Sequence, residues 1–194
     1  MYVRDAKNRE EVWLLDHIED MGLDETAFRS RDYVIAIDEE TNEKAGFGRI
    51  RVHKAEDEPD RCELTSIGVL SDWRGQGVGA HIVERLVQMA GDEGFDTVYA
   101  LTDEPDYLSQ FGFEPLPVEE LPGKLQDRLS AKRDASAPDA VPLTLSTGDF
   151  EMPQRFRQAF KQAAPDAGTD EPEEGPEDFG IDPDEATYKY DTGR

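Results

Sequence analysis

The chain is poor in the residues that build covalent or metal cross-links. Cys62 is its one cysteine, which excludes an internal disulfide framework and a cysteine-based metal cluster. The three histidines, His17, His53 and His81, fall in three different expected elements with no metal-ligand spacing, so no metal site is expected. Positive charge is scarce too: 21 Lys and Arg face 45 Asp and Glu, a formal net charge of -24. Such a field repels nucleic acid and anionic membrane surfaces, and neither is expected as a partner. No apolar run is long enough to cross a bilayer, and the opening MYVRDAKNREE has no signal-peptide pattern; a cytoplasmic protein is expected. Hydrophobic residues make up 37% of the 194, below the usual globular share, so part of the length is expected not to pack.

The carboxylates are spread along the whole chain, which suits a protein that stays hydrated in very high salt, where screening cancels self-repulsion. In this respect the sequence resembles proteins of salt-loving archaea, and halophilic adaptation is expected.

Pattern and punctuation give the organisation. MYVRDA reads as a strand. Asn8 with Glu11 forms a capping box for a helix through about Met21, its apolar face Val12, Leu15 and Ile18 with Trp13. A short helical segment spans Glu25 to Arg29. Tyr33–Ile37 and Ala45–His53 form a hairpin, Cys62–Leu70 the next strand. The Gly-rich turn Arg74–Gly79 feeds a helix to about Ala90 with Val78, Ile82, Leu86 and Met89 on one stripe. Phe95–Leu101 is a strand, Pro105–Gln110 a short helix, Phe113–Leu116 a strand. KLQDRLSAKRD has the makings of a helix, Val141–Leu145 of a last strand, Pro153–Ala163 of a last helix. A strand, Gly-rich turn, helix and strand make a parallel crossover unit; with hairpins on its flanks the chain reads as one α/β domain on a mixed sheet, residues 1–163. Residues 164–194 hold 11 acids and 2 bases among repeated Pro and Gly and read as an unpacked or loosely docked tail. Phe179, Ile181, Tyr188 and Tyr190 make that tail a candidate contact with the domain or with a protein partner. A homodimer is left open.

The turn Arg74-Gly75-Gln76-Gly77-Val78-Gly79 carries the clearest chemistry. Where a strand runs into a helix, the first helical N–H groups lack intrahelical acceptors and the helix dipole adds positive charge, so the junction favours an anion. Glycines let the backbone approach a bulky diphosphate, and Arg74 adds a salt contact. A nucleoside-triphosphate loop would need Gly-Lys-Ser/Thr at its end, and a dinucleotide fingerprint a different glycine spacing. What remains is a pyrophosphate cradle of another kind. Val69 followed by Trp73-Arg74-Gly75-Gln76-Gly77-Val78-Gly79 strongly resembles the acetyl-CoA motif of the GNAT (Gcn5-related) N-acetyltransferases. Asp106-Tyr107-Leu108-Ser109-Gln110-Phe111-Gly112-Phe113-Glu114 looks like that family's tyrosine-bearing helix followed by Gly-Phe. The resemblance covers about residues 1–120. The run from Leu101-Thr102 through Glu120-Leu121-Pro122 also looks like the amino-acid N-acetyltransferase branch that includes N-acetylglutamate synthase.

The resemblance implies an acyl-CoA N-acyltransferase fold and acetyl-CoA as donor. Its pyrophosphate would lie on Arg74, Gly75, Gln76, Gly77, Val78 and Gly79, and its pantetheine arm and thioester beside Ile67, Val69 and Leu70. Transfer to an amine needs a base, a donor to the carbonyl oxygen and a proton for the leaving thiolate. A backbone N–H near Val69 or Leu70 is the expected oxyanion donor. Tyr107 is the candidate acid, although many relatives carry the tyrosine one residue later, where Leu108 stands. Glu63, six residues before Val69, is the candidate base, with burial expected to raise its pKa. Cys62 points to the other side of the strand. His53 and His81 read as structural or solvent-facing. Arg49 and Arg51 share a strand face and are candidates to bind an acidic acceptor, against surface salt bridges as the alternative. A small-molecule N-acetyltransferase, with amino acids among its candidate acceptors, is thus expected; an acetyltransferase of protein N-termini or lysines and a non-catalytic acyl-CoA-binding module are the alternatives.

Overall fold

Period-two patterning in short runs and one strongly periodic helix call for a sheet with helices laid on it. The computed structural model of the chain describes residues 1–165. Its strands are β1 (Tyr2–Asp5), β2 (Tyr33–Ile37), β3 (Lys44–His53), β4 (Arg61–Val69), β5 (Thr97–Thr102), β6 (Glu114–Pro115) and β7 (Val141–Ser146). They form one sheet in the order β1-β2-β3-β4-β5-β7-β6. β4 and β5 run parallel, and the other neighbours antiparallel. The helices are α1 (Glu11–Asp20), α2 (Val78–Asp92), α3 (Pro105–Ser109), α4 (Gly123–Ala135) and α5 (Gln154–Gln162). The mixed α/β architecture read from the sequence is the one observed.

The alternation of side chains across the strands sorts the molecule into two faces. On one, the expected stripe Val78, Ile82, Leu86 and Met89 of α2 is buried against Ile50, Cys62, Leu64 and Ile67, and Phe156 and Phe160 of α5 extend the same core. Gly48 permits the close approach of α2: a Cβ there would lie 2.8 Å from Ile82 Cγ2 and 3.0 Å from Leu86 Cδ1. On the other face, α1 covers one end of the sheet through Leu14, Ile18, Ile35 and Phe47. α4 covers the other end through Leu125 and Leu129 on Tyr99 and Leu101. Between these two helices, over β3 and β4, the sheet presents Arg49, Arg51, His53 and Glu63.

Three local expectations are corrected. The cap of the first helix is Glu10, whose carboxylate accepts the Lys7 N–H at 2.8 Å. The Arg4 guanidinium grips the same carboxylate at 2.8 and 2.6 Å and, with the Lys7 bond, holds its pKa at about 2. Asn8 is engaged elsewhere, accepting from Ser30 Oγ at 3.2 Å. Because a 3-10 turn over Asn8–Glu10 precedes α1, the buried pair is Leu14 and Ile18, and Val12 is 70% exposed. The segment from Glu25 to Arg29 is not helical: it turns at Ala27 (φ 52°), and its carbonyls at Thr26 and Ala27 accept from Arg49. Of the expected tail, Ala164 and Pro165 are described; Phe179, Ile181, Tyr188 and Tyr190 lie outside the described residues.

Candidate active site

β4 leaves the sheet after Val69, makes a 3-10 turn over Ser71–Trp73, and passes Gly75 (φ 70°) and Gly77 (φ 75°) before α2 begins at Val78. Positive φ at both glycines is what makes so tight a strand-to-helix turn affordable. Arg74 folds back, its Nε donating to the Val69 carbonyl at 3.2 Å. The Gln76 side chain is engaged within the protein: its Nε2 donates to the carbonyls of Asp72 (3.2 Å) and Ala164 (2.9 Å), and its Oε1 accepts the Ala164 N–H at 2.9 Å. A Cβ on Gly77 would sit 2.5 Å from the Phe156 carbonyl oxygen. Residues 76–80 are buried, and Arg74 and Gly75 partly exposed. Gly77 is therefore required for packing against α5, a demand the motif did not reveal. His81 belongs to the same packing: its Nδ1–H donates to the Gly77 carbonyl at 2.7 Å, and its ring stacks on Phe160 at 3.8 Å.

β4 and β5 pair only where Cys62–Leu64 meets Val98–Ala100, and then separate. The cause lies in β4, where Ser66 takes φ 50° and the register with β3 shifts between Phe47 and Arg49. This bulge turns the strand out of plane. The parted strands leave a cavity of about 20 Å³ formed by Leu64–Ile67, Ala100–Thr102, Leu108 and Lys132. Ile67 lines this opening. The Leu70 N–H donates to the Ala45 carbonyl at 2.8 Å. Leu108 faces the cavity, while Tyr107 is buried with its ring edge-on to Phe111 (5.3 Å) and Phe156 (6.2 Å).

On the opposite face Glu63 is wholly buried, with Oε2 2.8 Å from His53 Nε2 and 3.3 Å from Arg128 Nε of α4. Arg128 also pairs with Asp24 at 2.9 Å, as does Arg51 at 3.0 Å. Burial opposes the Glu63 charge most strongly. The His53 hydrogen bond and the positive charges of Arg128 and Lys132 outweigh it, and its pKa lies below the ordinary value. The expected upward shift is thereby corrected: partners from distant segments overcome desolvation. Arg49 is 1% exposed, donates to the Thr26 and Ala27 carbonyls, and lies 5.5 Å from the Tyr33 ring centre; among the described residues no carboxylate pairs with it. Arg49, Arg51, His53, Arg29, Lys54 and Lys124 border a pocket of about 550 Å³ in which Asp32 is the one acid. Cys62, on the α2 side, is pushed up to about 12 by burial and is chemically quiet.

A model of the Acetyltransferase (GNAT) family matches residues 2–113. The chain belongs to the GNAT acetyltransferase family. An uncharacterised N-acetyltransferase of Chlorobaculum tepidum is 29% identical over 64 residues, 33% of this chain and 41% of that protein. N-acetylglutamate synthase from Neisseria gonorrhoeae, solved with coenzyme A and N-acetyl-glutamate, superposes with a TM-score of 0.58 at 17% identity, covering 75% of this chain and 34% of the synthase. A Mycobacterium tuberculosis protein solved with CoA gives 0.59 at 16% identity, covering 75% of this chain and 99% of that one. This chain therefore spans less than half of the curated relative and of the synthase. At these identities the structural likeness speaks for the fold alone.

The GNAT motif located the strand-to-helix turn but not the charged face. Asp24, Arg128 and Lys132 escaped sequence reasoning because they come from a loop and a helix far from β4. One signal was present. Lys124, Arg128 and Lys132 recur every four residues, one stripe of basic charge on a helix face in a chain with a net charge of -24. That stripe borders the basic pocket, grips Glu63 and reaches the cavity between β4 and β5.

Proposed function

We propose that this GNAT domain transfers the acetyl group of acetyl-CoA to the primary amine of a small acceptor that carries a carboxylate, an amino acid included, by direct attack in a ternary complex. The carrying observation is the Arg49 guanidinium, buried and unpaired with any described carboxylate, bordering a pocket with Arg51, Lys54 and Lys124. Buried charge calls for a counter-charge. In a chain with twice as many acids as bases, leaving that place to a ligand favours an anionic one. Coenzyme A would meet the α2 turn at Arg74–Gly79 with its diphosphate, and Ile67 and Val69 with its arm. Arg49 and Arg51 would hold the acceptor's carboxylate. Glu63, inaccessible itself, would orient His53 at the pocket wall, which takes the proton of the acceptor's ammonium; the neutral amine then attacks the thioester.

The test is coenzyme A thiol release from acetyl-CoA with paired acceptors, amino acids against their amides, in dilute buffer and in molar potassium chloride because of the -24 charge. Acids should exceed amides by about 100-fold in kcat/KM, and Arg49→Met should erase the difference. Equal turnover of acids and amides would overturn the acidic acceptor, and absence of thiol release in both salts would overturn the transfer.

A further inference from the structure

The cavity between β4 and β5 has walls of aliphatic side chains, the hydroxyl-bearing Thr65, Ser66 and Thr102, and one ionisable group, Lys132. Its ammonium end is enclosed and donates to the Leu101 carbonyl, on β5 across the parted strands from Ile67. A space of about 20 Å³ holds roughly one water. A pantetheine arm entering there must displace a wall group, and the lysine, on a flexible four-carbon stem, is the one that can move. The sulfur released at this place would emerge as a thiolate among apolar walls, where an unpaired charge is costly. Tyr107, the acid suggested by resemblance, directs its ring into the Phe111 and Phe156 cluster, and Leu108 holds the wall in its stead.

We propose, on the basis of the acetyl transfer argued above, that Lys132 is the catalytic acid for the departing coenzyme A thiolate. As the amine nitrogen bonds the acyl carbon, the carbon–sulfur bond breaks and the electron pair goes to sulfur. A proton passes from Lys132 Nζ to sulfur, giving the free thiol, and the nitrogen that became the amide releases a proton that restores the ammonium through solvent. Four charged groups act on the lysine: Glu63 of β4, Arg128 of its own helix, Asp103 after β5 and Asp24 after α1. Burial lowers its pKa most, and Arg128 adds to this, while Glu63, Asp103 and Asp24 oppose it. A lowered ammonium pKa brings its acidity toward that of a thiol, ordinarily about 8.5, which eases the transfer.

The test needs no acceptor. The thiol of coenzyme A bound to the full chain is titrated by the ultraviolet absorbance of its thiolate; Cys62, at about 12, stays silent. The wild type should lower the bound thiol's pKa by about 1 unit or more relative to free coenzyme A. Lys132→Met should bind coenzyme A and return the pKa to the free value, while Lys132→Arg, always charged, should keep it low. With acetyl-CoA, Lys132→Met should lose about 100-fold in kcat with little change in KM. Coenzyme A that binds the wild type with an unshifted thiol overturns the role of Lys132 alone, whatever the variants do. Coenzyme A that does not bind overturns the transfer proposed above and this role with it.

Discussion

The two faces of the sheet solve the same problem, holding a helix to β3 and β4, with opposite chemistry. Under α2 the contact is apolar and close, set by Gly48 and the stripe of Ile82 and Leu86. Between α1 and α4 the strands carry Arg51, His53 and Glu63, matched by Asp24 and Arg128 from other segments, and Arg49, which donates to the Thr26 and Ala27 carbonyls. An apolar face stabilises by area removed from water and tolerates small changes of shape. A buried ionic face is stable only when each charge finds its partner, so removal of one member strands the rest. The ionic face is therefore where this domain trades robustness for chemistry.

The sharpest break in that comparison is Glu63→Ala. It leaves Arg128 and His53 without their buried carboxylate and should destabilise by about 3–5 kcal/mol, read from the urea midpoint. Because the folded-state pKa of Glu63 is lowered, its stabilisation is fully present above the ordinary carboxylate value of about 4.3 and is lost as pH falls through the lower folded value. Stability of the wild type should thus fall on acidification through that window more steeply than stability of the variant; parallel curves would place Glu63 outside the network. On the α2 side, Gly77→Ala meets both φ 75° and the Phe156 carbonyl and should cost about 2–4 kcal/mol, with amides of α5 losing exchange protection first. Gln76→Ala removes the two bonds to Ala164 and should cost about 1–2 kcal/mol, confined to the end of α5. At the outer surface of α1, Val12→Ala should move the midpoint by less than about 0.5 kcal/mol, since Val12 is 70% exposed. A larger loss there would return Val12 to the buried face.

Legibility followed the range of the forces. β2 was read to the residue, and α2 within two residues at either end, because period and glycine punctuation are local. α1 was found but its buried face was rotated, since a 3-10 turn precedes it in which Glu10 is held by Arg4 and the Lys7 N–H. The segment from Glu25 to Arg29 has helical composition, yet its carbonyls are drawn to a guanidinium 22 and 23 residues away. For the site, period two put Arg49 and Arg51 on one face. Burial by itself misjudged the direction of the Glu63 shift, because His53, Arg128 and Lys132 reach it only in the folded chain.

By itself the sequence determined that a strand would run into a helix through glycines, that the sheet would be mixed, and which strand residues would share a side. These follow from dihedral preferences and hydrophobic spacing, which act over a few residues. Tertiary structure alone decided that α5 would close on Gly77, that Glu63 would be an ion, and that Lys132 would stand between β4 and β5. Each of those depends on charges and surfaces brought together across tens of residues, where Coulomb and packing energies have no counterpart in local pattern.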